Sequence, residues 1–237
     1  MALQRHHVAR LIGDKASTPA VGNRLLRMLH ILMRHAVEIG WRKDYPTIGV
    51  RKLREATGGF TTWEEAHIAA FLDHHKAGSL AHTALSLLLY TGQRRGDVVK
   101  LGHHNLRDGF LTFTQSKTGQ DVAIPLHRDL ASILGSLPPG PAFITGERGK
   151  PMTPEAFTIR FRQMVKDAGL PDGLSPHGLR KSTCRRLAEA GCTPHEIMAI
   201  SGHKTLAEVT RYTVAASRKR LAERAVAALD RGVSKAG

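Results

Sequence analysis

The sequence has little cysteine, few acidic residues and no long hydrophobic run, and each shortage excludes a class of protein. Only two of its 237 residues are cysteines, and 20 are Asp or Glu. Cys184 and Cys192 cannot build a disulfide framework and have no partners at zinc-ligand spacing, so we predict that they are small core residues. The most apolar stretch, Leu85 to Tyr90, is far too short to span a bilayer. The N-terminus carries early charge and lacks the apolar segment of a secretory signal, so we expect a cytoplasmic protein without membrane contact.

Basic residues are abundant by contrast. Lys and Arg number 35, which gives a formal net charge of +15 at neutral pH. Such a charge favours a polyanionic partner, most commonly nucleic acid, although a protein that is merely basic remains an alternative. Hydrophobic residues make up 41% of the chain, enough for the core of one large domain, or of one domain and a smaller one.

The N-terminal quarter of the chain contains one clear helical pattern. Residues 1–17 are ambiguous, whereas apolar residues recur on one face from Pro19 to Val37 and predict a helix that ends at Gly40. Residues 44–59 mix turn-forming and charged residues, as is typical of a linker.

The rest of the sequence predicts a mostly helical domain with one hairpin. Thr62 and Glu65 form a capping-box pattern that opens a helix through about His75. Residues 110–126 contain two short runs of β-forming residues around Lys117-Thr118-Gly119, which predicts a hairpin and leaves a third strand open. Further helices are expected at about 79–90, 95–101, 130–137, 154–168, 177–190, 194–201 and 216–229, the last of them basic and amphipathic. The fold class is therefore mainly α with a small antiparallel β-hairpin or sheet.

Polar groups interrupt this pattern first at Thr91-Gly92-Gln93-Arg94 and at the hairpin tip. Arg94 leaves an apolar helix at a glycine-loosened turn, and Asp97 lies within one helical turn, where it could brace the guanidinium. Lys117 could reach a ligand from the mobile tip of the hairpin. The ordinary alternatives are a surface Arg–Asp pair and a solvated turn lysine.

Two later segments have the same character. His177 and Arg180 are three residues apart at a predicted helix start, where free N–H groups already favour an anion. His203 follows Ser201-Gly202, and Tyr212 comes nine residues later among polar and basic neighbours. The alternatives are an N-terminal histidine beside a surface arginine, and a half-buried structural tyrosine.

The ordered set TGQR, hairpin lysine, HGLR, SGH and tyrosine, across residues 60 to 215, resembles the catalytic domain of the tyrosine recombinases, or phage-type integrases. The resemblance implies roles by position: phosphate clamping for Arg94 and Arg180, proton handling or hydrogen bonding for His177 and His203, leaving-group protonation for Lys117, nucleophilic attack for Tyr212 and an acidic brace for Asp97. It also implies strand cleavage and rejoining through a 3′-phosphotyrosine link without metal, ATP or other cofactor.

The expected partner is double-stranded DNA. Arg95, Lys181, Lys204 and Arg211 fit contacts to its phosphate backbone, although each is also compatible with a solvated basic surface. The resemblance implies a homotetramer on DNA, and the chain could be a monomer when it is not bound to DNA. It also implies a prokaryotic or phage origin and association with the nucleoid. The tail after Tyr212 would pack on a neighbouring copy, or simply on its own domain.

The domain organisation departs from the family pattern. We expect residues 1–55 to be a truncated remnant of the helical core-binding domain plus a linker, and residues 56–237 to be the catalytic domain with its tail helix. Two other functions stay open beside site-specific recombination. The same chemistry would serve a relaxing, type IB-like topoisomerase, and the incomplete clamp keeps open a catalytically idle DNA-binding remnant.

Overall fold

A computed structural model of the chain describes residues 3–55, 59–146 and 149–233. The chain divides into two compact units, Met1–Gly59 and Phe60–Gly237. The domain boundary expected between residues 55 and 56 falls beside residues 56–58, which lie outside the described residues.

The first unit contains α1 (Arg5–Gly13) and α2 (Pro19–Glu38). The predicted helix from Pro19 is confirmed, with proline at its first position, where a missing N–H costs no hydrogen bond. The two helices pack around Val8, Ile12 and Leu26. Helix α1 lies within residues 1–17, where the sequence was ambiguous. Only Val8 and Ile12 of this helix are buried, which is too few to give a clear helical pattern.

The second unit is mostly helical, with a small sheet, which confirms the predicted fold class. In chain order its elements are α3 (Glu65–His74), α4 (Leu80–Thr91), α5 (Arg95–Val98), a 3-10 turn (His103–Asn105), β1 (Leu106–Arg107), β2 (Phe110–Thr114), β3 (Asp121–Pro125), α6 (Arg128–Gly135), α7 (Pro154–Asp167), α8 (Pro176–Glu189), α9 (Pro194–Ser201) and α10 (Leu206–Val233).

Helix α4 lies at the centre of the main core. It is apolar nearly all round, as the sequence indicates, and nine of its twelve residues are buried. Helix α8 packs against it. Four large aromatic side chains from the surrounding elements complete this core: Trp63, Phe71, Phe157 and Phe161. Helix α4 is therefore a fixed support for the segment that follows it, which begins at Gly92.

The predicted hairpin is confirmed, and β1 adds a third strand. The order is β1-β2-β3, antiparallel throughout, with Leu111 opposite Ile124 in the hairpin. The turn between β2 and β3 is closed by hydrogen bonds from Gln115 N to Gln120 O (2.8 Å) and from Gly119 N to Gln115 O (2.9 Å). Lys117 lies at its tip, as predicted.

The predicted capping role of Thr62 is wrong. Helix α3 begins at Glu65, its N-cap is Glu64, and the ring Nδ1 of His67 accepts from the Glu64 amide at 3.1 Å. The reason is tertiary: Trp63 is fully buried and its indole N–H donates to Ser175 O at 3.0 Å, which holds this segment outside the helix.

Two helix boundaries also differ from expectation. Helix α5 ends at Val98 rather than near Leu101. Helix α10 runs from Leu206 to Val233, so that Tyr212 lies within the helix predicted to begin only at residue 216. Among the residues that the structure describes, no helix combines the length and the apolar character needed to cross a membrane.

Candidate active site

Helix α4 ends in a left-handed turn that directs Arg94 toward the hairpin. Gly92 has φ +61°, a conformation that glycine adopts without strain. Arg94 is extended and caps α5, and its Nη1 donates to Gln115 Oε1 at 3.2 Å. The guanidinium is thus held by a residue of the hairpin turn.

Asp97 does not brace Arg94, contrary to the expectation from their spacing. Its Oδ1 accepts from the backbone N–H of Ser116 at 2.8 Å, and no ion pair joins it to Arg94 in the described parts of the chain. The side chain is buried and reaches the hairpin turn from α5, which is a single helical turn. Asp97 therefore holds the residue next to Lys117.

Arg94, Lys117 and His177 line one cavity of about 450 Å³. The other lining residues are Phe60, Arg95, Gly96, Asp97, Ser116 and Pro154. Three of the residues that sequence reasoning proposed for catalysis thus meet at one space, although they lie on different elements. Tyr212 is not among the described residues that line it.

His177 lies in the first turn of α8. Its ring packs on the ring of Phe60, with centroids 4.5 Å apart. The following residue must be glycine, because a Cβ at Gly178 would collide with the backbone oxygen of Thr61. Desolvation, followed by the positive charges of Arg180 and Lys181, lowers the pKa of His177 to about 4. The imidazole is therefore neutral at pH 7.

Arg180 is buried, with 2% of its surface exposed. Its Nη1 donates to the backbone oxygens of Gly92 (2.7 Å) and Ser201 (2.6 Å). Its Nη2 is also buried but has no hydrogen-bond partner among the described residues. Burial and then the charge of Arg94 lower its pKa to about 10, so the side chain remains a cation at neutral pH. A buried cation with an unused donor is costly unless an anion completes it.

His203 is buried beside Arg180. Its Nδ1 lies 2.7 Å from the hydroxyl oxygen of Ser201, whose single proton is donated to Ile197 O at 2.6 Å. Nδ1 therefore carries the proton that joins the two side chains, and Nε2 is unprotonated while the ring is neutral. Burial, followed by the charge of Arg180, lowers the pKa of His203 to about 4 against the opposing effect of Glu208.

Tyr212 is half-buried on α10. Its ring packs against a small core that includes Cys184, Ile197 and Val209. Its hydroxyl accepts from Arg211 Nη2 at 3.1 Å, and the Arg211 Cζ lies 4.9 Å from the ring centroid. Burial raises the pKa of Tyr212, while Arg211 and Arg180 oppose that rise. The hydroxyl is thus protonated at neutral pH and is held by its neighbour.

Both cysteines are free, as predicted. Cys184 is fully buried and Cys192 packs against the same small core as Tyr212. Burial raises the pKa of Cys184 to about 11, so its thiol remains protonated at neutral pH.

The four residues expected to contact DNA differ in their surroundings. Arg95, Lys204 and Arg211 are exposed. Lys181 is half-buried, and its ammonium donates to the backbone oxygen of Phe60 at 2.6 Å. Within the described ranges, no group of three or more His, Cys, Asp or Glu side chains is placed to hold a metal ion.

Sequence reasoning missed a buried pair of amides, Gln93 and Gln115. Neither is exposed, and Gln115 Nε2 donates to Gln93 Oε1 at 2.5 Å. Gln93 Nε2 in turn donates to Ile200 O at 2.7 Å, at the end of α9. The only signal in the sequence was their position, directly before Arg94 and two residues before Lys117.

The family model described as the phage integrase family matches residues 60–219. The chain belongs to the phage integrase family. These enzymes are tyrosine recombinases, so the resemblance seen in the sequence is confirmed. The matched range spans every element from α3 to the first half of α10.

Curated relatives of this integrase-family chain are recombinases. Tyrosine recombinase XerC of Nitrobacter winogradskyi is 35% identical over 95 residues, which are 40% of this chain and 29% of the relative. The XerC of a Methylobacterium strain is 31% identical over 140 residues, covering 54% of this chain and 43% of its own length. The shufflon-specific DNA recombinase of Escherichia coli is 27% identical over 215 residues, covering 85% of this chain and 53% of the relative. The matches thus span about half of these curated relatives or less.

Solved integrases have the same fold. A lambda integrase dimer bound to a core site has a TM-score of 0.78 at 21% identity, over 89% of this chain and 80% of that one. The Tn1549 transposon integrase in complex with transposon right-end DNA has a TM-score of 0.69 at 18% identity, over 93% of this chain and 86% of that one. The family match and the solved structures therefore agree on the fold of this chain.

Proposed function

We propose that this chain is a site-specific DNA recombinase, or integrase, that cleaves and rejoins DNA strands through a 3′-phosphotyrosine intermediate formed by Tyr212. The observation that carries the proposal is the buried guanidinium of Arg180, whose Nη2 has no partner within the described chain and which lies close to the charge of Arg94 and to the phenol of Tyr212. A DNA phosphate would supply the missing acceptor.

The two arginines would clamp that phosphate. Attack on a phosphodiester builds negative charge on its non-bridging oxygens, and planar guanidinium groups donate to such oxygens without losing their own charge. Arg180 is fixed by two backbone carbonyls and Arg94 by Gln115, so both cations are positioned before DNA arrives. Preorganised donors of this kind contribute about 2.7–4 kcal/mol each in known enzymes.

Tyr212 would supply the nucleophile. Its oxygen forms a bond to phosphorus as the bond from phosphorus to the 5′-oxygen breaks, and its proton passes to a neutral imidazole, for which His177 is placed at the cavity. A bound phosphate would raise the low pKa of His177 and make the ring a better acceptor.

Lys117 would complete the cleavage step. The departing 5′-oxygen needs a proton, and an exposed ammonium at the mouth of the cavity can donate it as a general acid. Attack by a 5′-hydroxyl of another strand on the phosphotyrosine reverses these steps and regenerates Tyr212. Because the phosphotyrosine bond retains the energy of the phosphodiester, the cycle needs neither ATP nor a metal ion.

Double-stranded DNA would bind across the basic surface around the cavity. Arg95 lines the cavity and is exposed, as are Lys204 and Arg211, and all three would contact backbone phosphates. Lys181 would be a further contact if it releases Phe60. One solved relative of this fold is a lambda integrase tetramer bound to a Holliday junction. On that basis we expect this chain to act as a homotetramer on DNA, with the unit Met1–Gly59 as part of a helical clamp and the tail of α10 contributing to assembly.

A pool of nicked duplexes with randomised sequence tests the proposal without knowledge of the target. Cleavage near the nick releases a short fragment that carries the 5′-hydroxyl. Because this fragment diffuses away, religation is prevented and the covalent protein–DNA adduct accumulates, which is detected on a denaturing gel. Adduct formation is expected, and its absence would favour the idle DNA-binding remnant.

Recombination of a plasmid that carries two copies of the selected site separates the other alternative. Strand exchange between the sites is expected from a recombinase. Relaxation of supercoils without exchange would instead support a type IB-like topoisomerase.

A further inference from the structure

We propose that Gln115 is a positioning residue, which fixes the Lys117 turn against Arg94 and against the carbonyl that holds Arg180. This inference rests on the proposed function for its catalytic consequence. The buried side-chain amide of Gln115 makes four hydrogen bonds, and their effect on the turn can be tested without DNA.

The amide oxygen of Gln115 joins the hairpin turn to Arg94. It accepts from Arg94 Nη1 at 3.2 Å and from the Thr118 hydroxyl at 2.6 Å. The residue on the other side of Lys117, Ser116, is held through its backbone N–H by Asp97. Lys117 is therefore flanked by two residues that are tied to the segment carrying Arg94.

The amide nitrogen of Gln115 points to the other half of the site. It donates to Gln93 Oε1 at 2.5 Å and to Ser201 O at 3.1 Å. The same Ser201 oxygen accepts from Arg180 Nη1. One side chain thus contacts the Lys117 turn, the Arg94 guanidinium and the backbone acceptor of Arg180.

Burial makes this arrangement unique. Gln115 and Gln93 are 0% exposed, so an amide that turned over would leave buried donors and acceptors without partners. The fit is also close, because a Cβ at Gly202 would collide with the Gln115 amide. The amide therefore has one satisfied orientation.

The structural test is amide hydrogen exchange of the chain without DNA. Gln115→Met keeps the length of the side chain and removes all four hydrogen bonds. It should speed exchange at residues 115–120 at least about tenfold, because the turn is then held mainly by its backbone bonds. Gln163→Met, the same change at an exposed position of α7, should leave that exchange unaltered. Unchanged exchange in Gln115→Met would overturn the proposal.

The catalytic test compares two leaving groups. Gln115→Met should form the Tyr212 adduct about 10- to 100-fold more slowly on ordinary DNA, with DNA affinity changed by less than about threefold. On DNA in which sulfur replaces the bridging 5′-oxygen, the ratio of the wild-type rate to the Gln115→Met rate should be at least about tenfold smaller. The reason is that a thiolate leaves without a proton from Lys117. An equal deficit on both substrates would indicate a general structural effect and contradict the proposal.

A milder variant covers the case in which the buried substitution fails to fold. Thr118→Val removes one hydrogen bond at the half-buried turn. It should speed exchange at residues 115–120 and slow adduct formation more on ordinary DNA than on the 5′-sulfur DNA, in both cases by less than Gln115→Met does. No shift in either would count against the proposal. Wild-type protein that forms no adduct would reject the proposed function instead, and the exchange comparison would still decide the role of Gln115.

Discussion

The guanidinium of Arg180 and the backbone oxygen of Ser201 are 2.6 Å apart, and this hydrogen bond uses only one of the two terminal nitrogens of the arginine. The other nitrogen is buried, without an acceptor among the residues described. Two backbone carbonyls therefore hold one cation through its Nη1, while its Nη2 donates to neither of them. That relationship is the strongest physical reason to place a phosphate at this site.

Arg180→Lys should slow adduct formation at least about 100-fold, because a single ammonium cannot donate to both carbonyls and also to a phosphate as the planar fork does. DNA affinity should fall much less, since binding draws on many phosphate contacts. Single-turnover cleavage and a DNA titration measure the two effects. Arg186→Lys, an exposed position on the same helix, is the control and should cleave at the wild-type rate. Equal losses of binding and cleavage in Arg180→Lys would argue against a role in the transition state.

Gly202→Ala should lower the free energy of unfolding by about 3 kcal/mol. A left-handed alanine costs about 1 kcal/mol, and displacing the Gln115 amide should add about 2 kcal/mol. Gly169→Ala is a close control, because its φ of +65° matches the +67° of Gly202 while nothing lies within 4 Å of the added carbon. Denaturant unfolding measures both variants, and a similar loss in the two would show that Gln115 can move aside.

The neutral, buried His203 predicts an acid-sensitive fold. Its folded-state pKa of about 4 lies below the ordinary value of 6.5, so its contribution to stability is complete above pH 6.5 and is lost as pH falls toward 4. Between pH 7.5 and pH 5 the loss that comes from His203 should be about 2 kcal/mol, in addition to the loss from His177, whose pKa is also about 4. Unfolding free energies of wild type and His203→Gln at both pH values measure it, and the variant should lose less. Parallel pH profiles would contradict the assignment.

Lys204→Ala should weaken DNA binding to a similar degree for all sequences and reduce the slope of log affinity against log salt by about 1, as expected for one lost phosphate contact. Lys76→Ala, an exposed lysine just after α3, should leave the slope unchanged. Binding isotherms at several salt concentrations give the slopes. A slope unaffected by Lys204→Ala would remove this residue from the DNA surface.

The sequence predicts those parts of the molecule that depend on local chemistry. Proline at the first helical position and a side-chain cap mark the start of α7, α8 and α9, and the turn around Gly119 marks the hairpin. The order of the polar motifs likewise identified Arg94, Lys117 and His177, which meet at one cavity although 83 residues separate the first from the last.

The errors arose where distant residues decide the local structure. The indole of Trp63 binds Ser175, 112 residues away, and so displaces the cap expected at Thr62. Asp97 turns to the hairpin because the Ser116 N–H needs an acceptor, whereas its spacing favoured Arg94. No periodicity or motif could pair Gln93 with Gln115, because only the folded chain brings the two amides together.

Tyr212 is the central claim, and the residue bonded to DNA tests it most directly. After trapping on nicked DNA, nuclease trimming and tryptic digestion, mass spectrometry should find the nucleotide on the peptide Tyr212–Arg218. Tyr212→Phe should form no adduct while binding DNA nearly as wild type does, and Tyr45→Phe should be trapped normally. A nucleotide on any other residue, or equal trapping of Tyr212→Phe, would contradict the account.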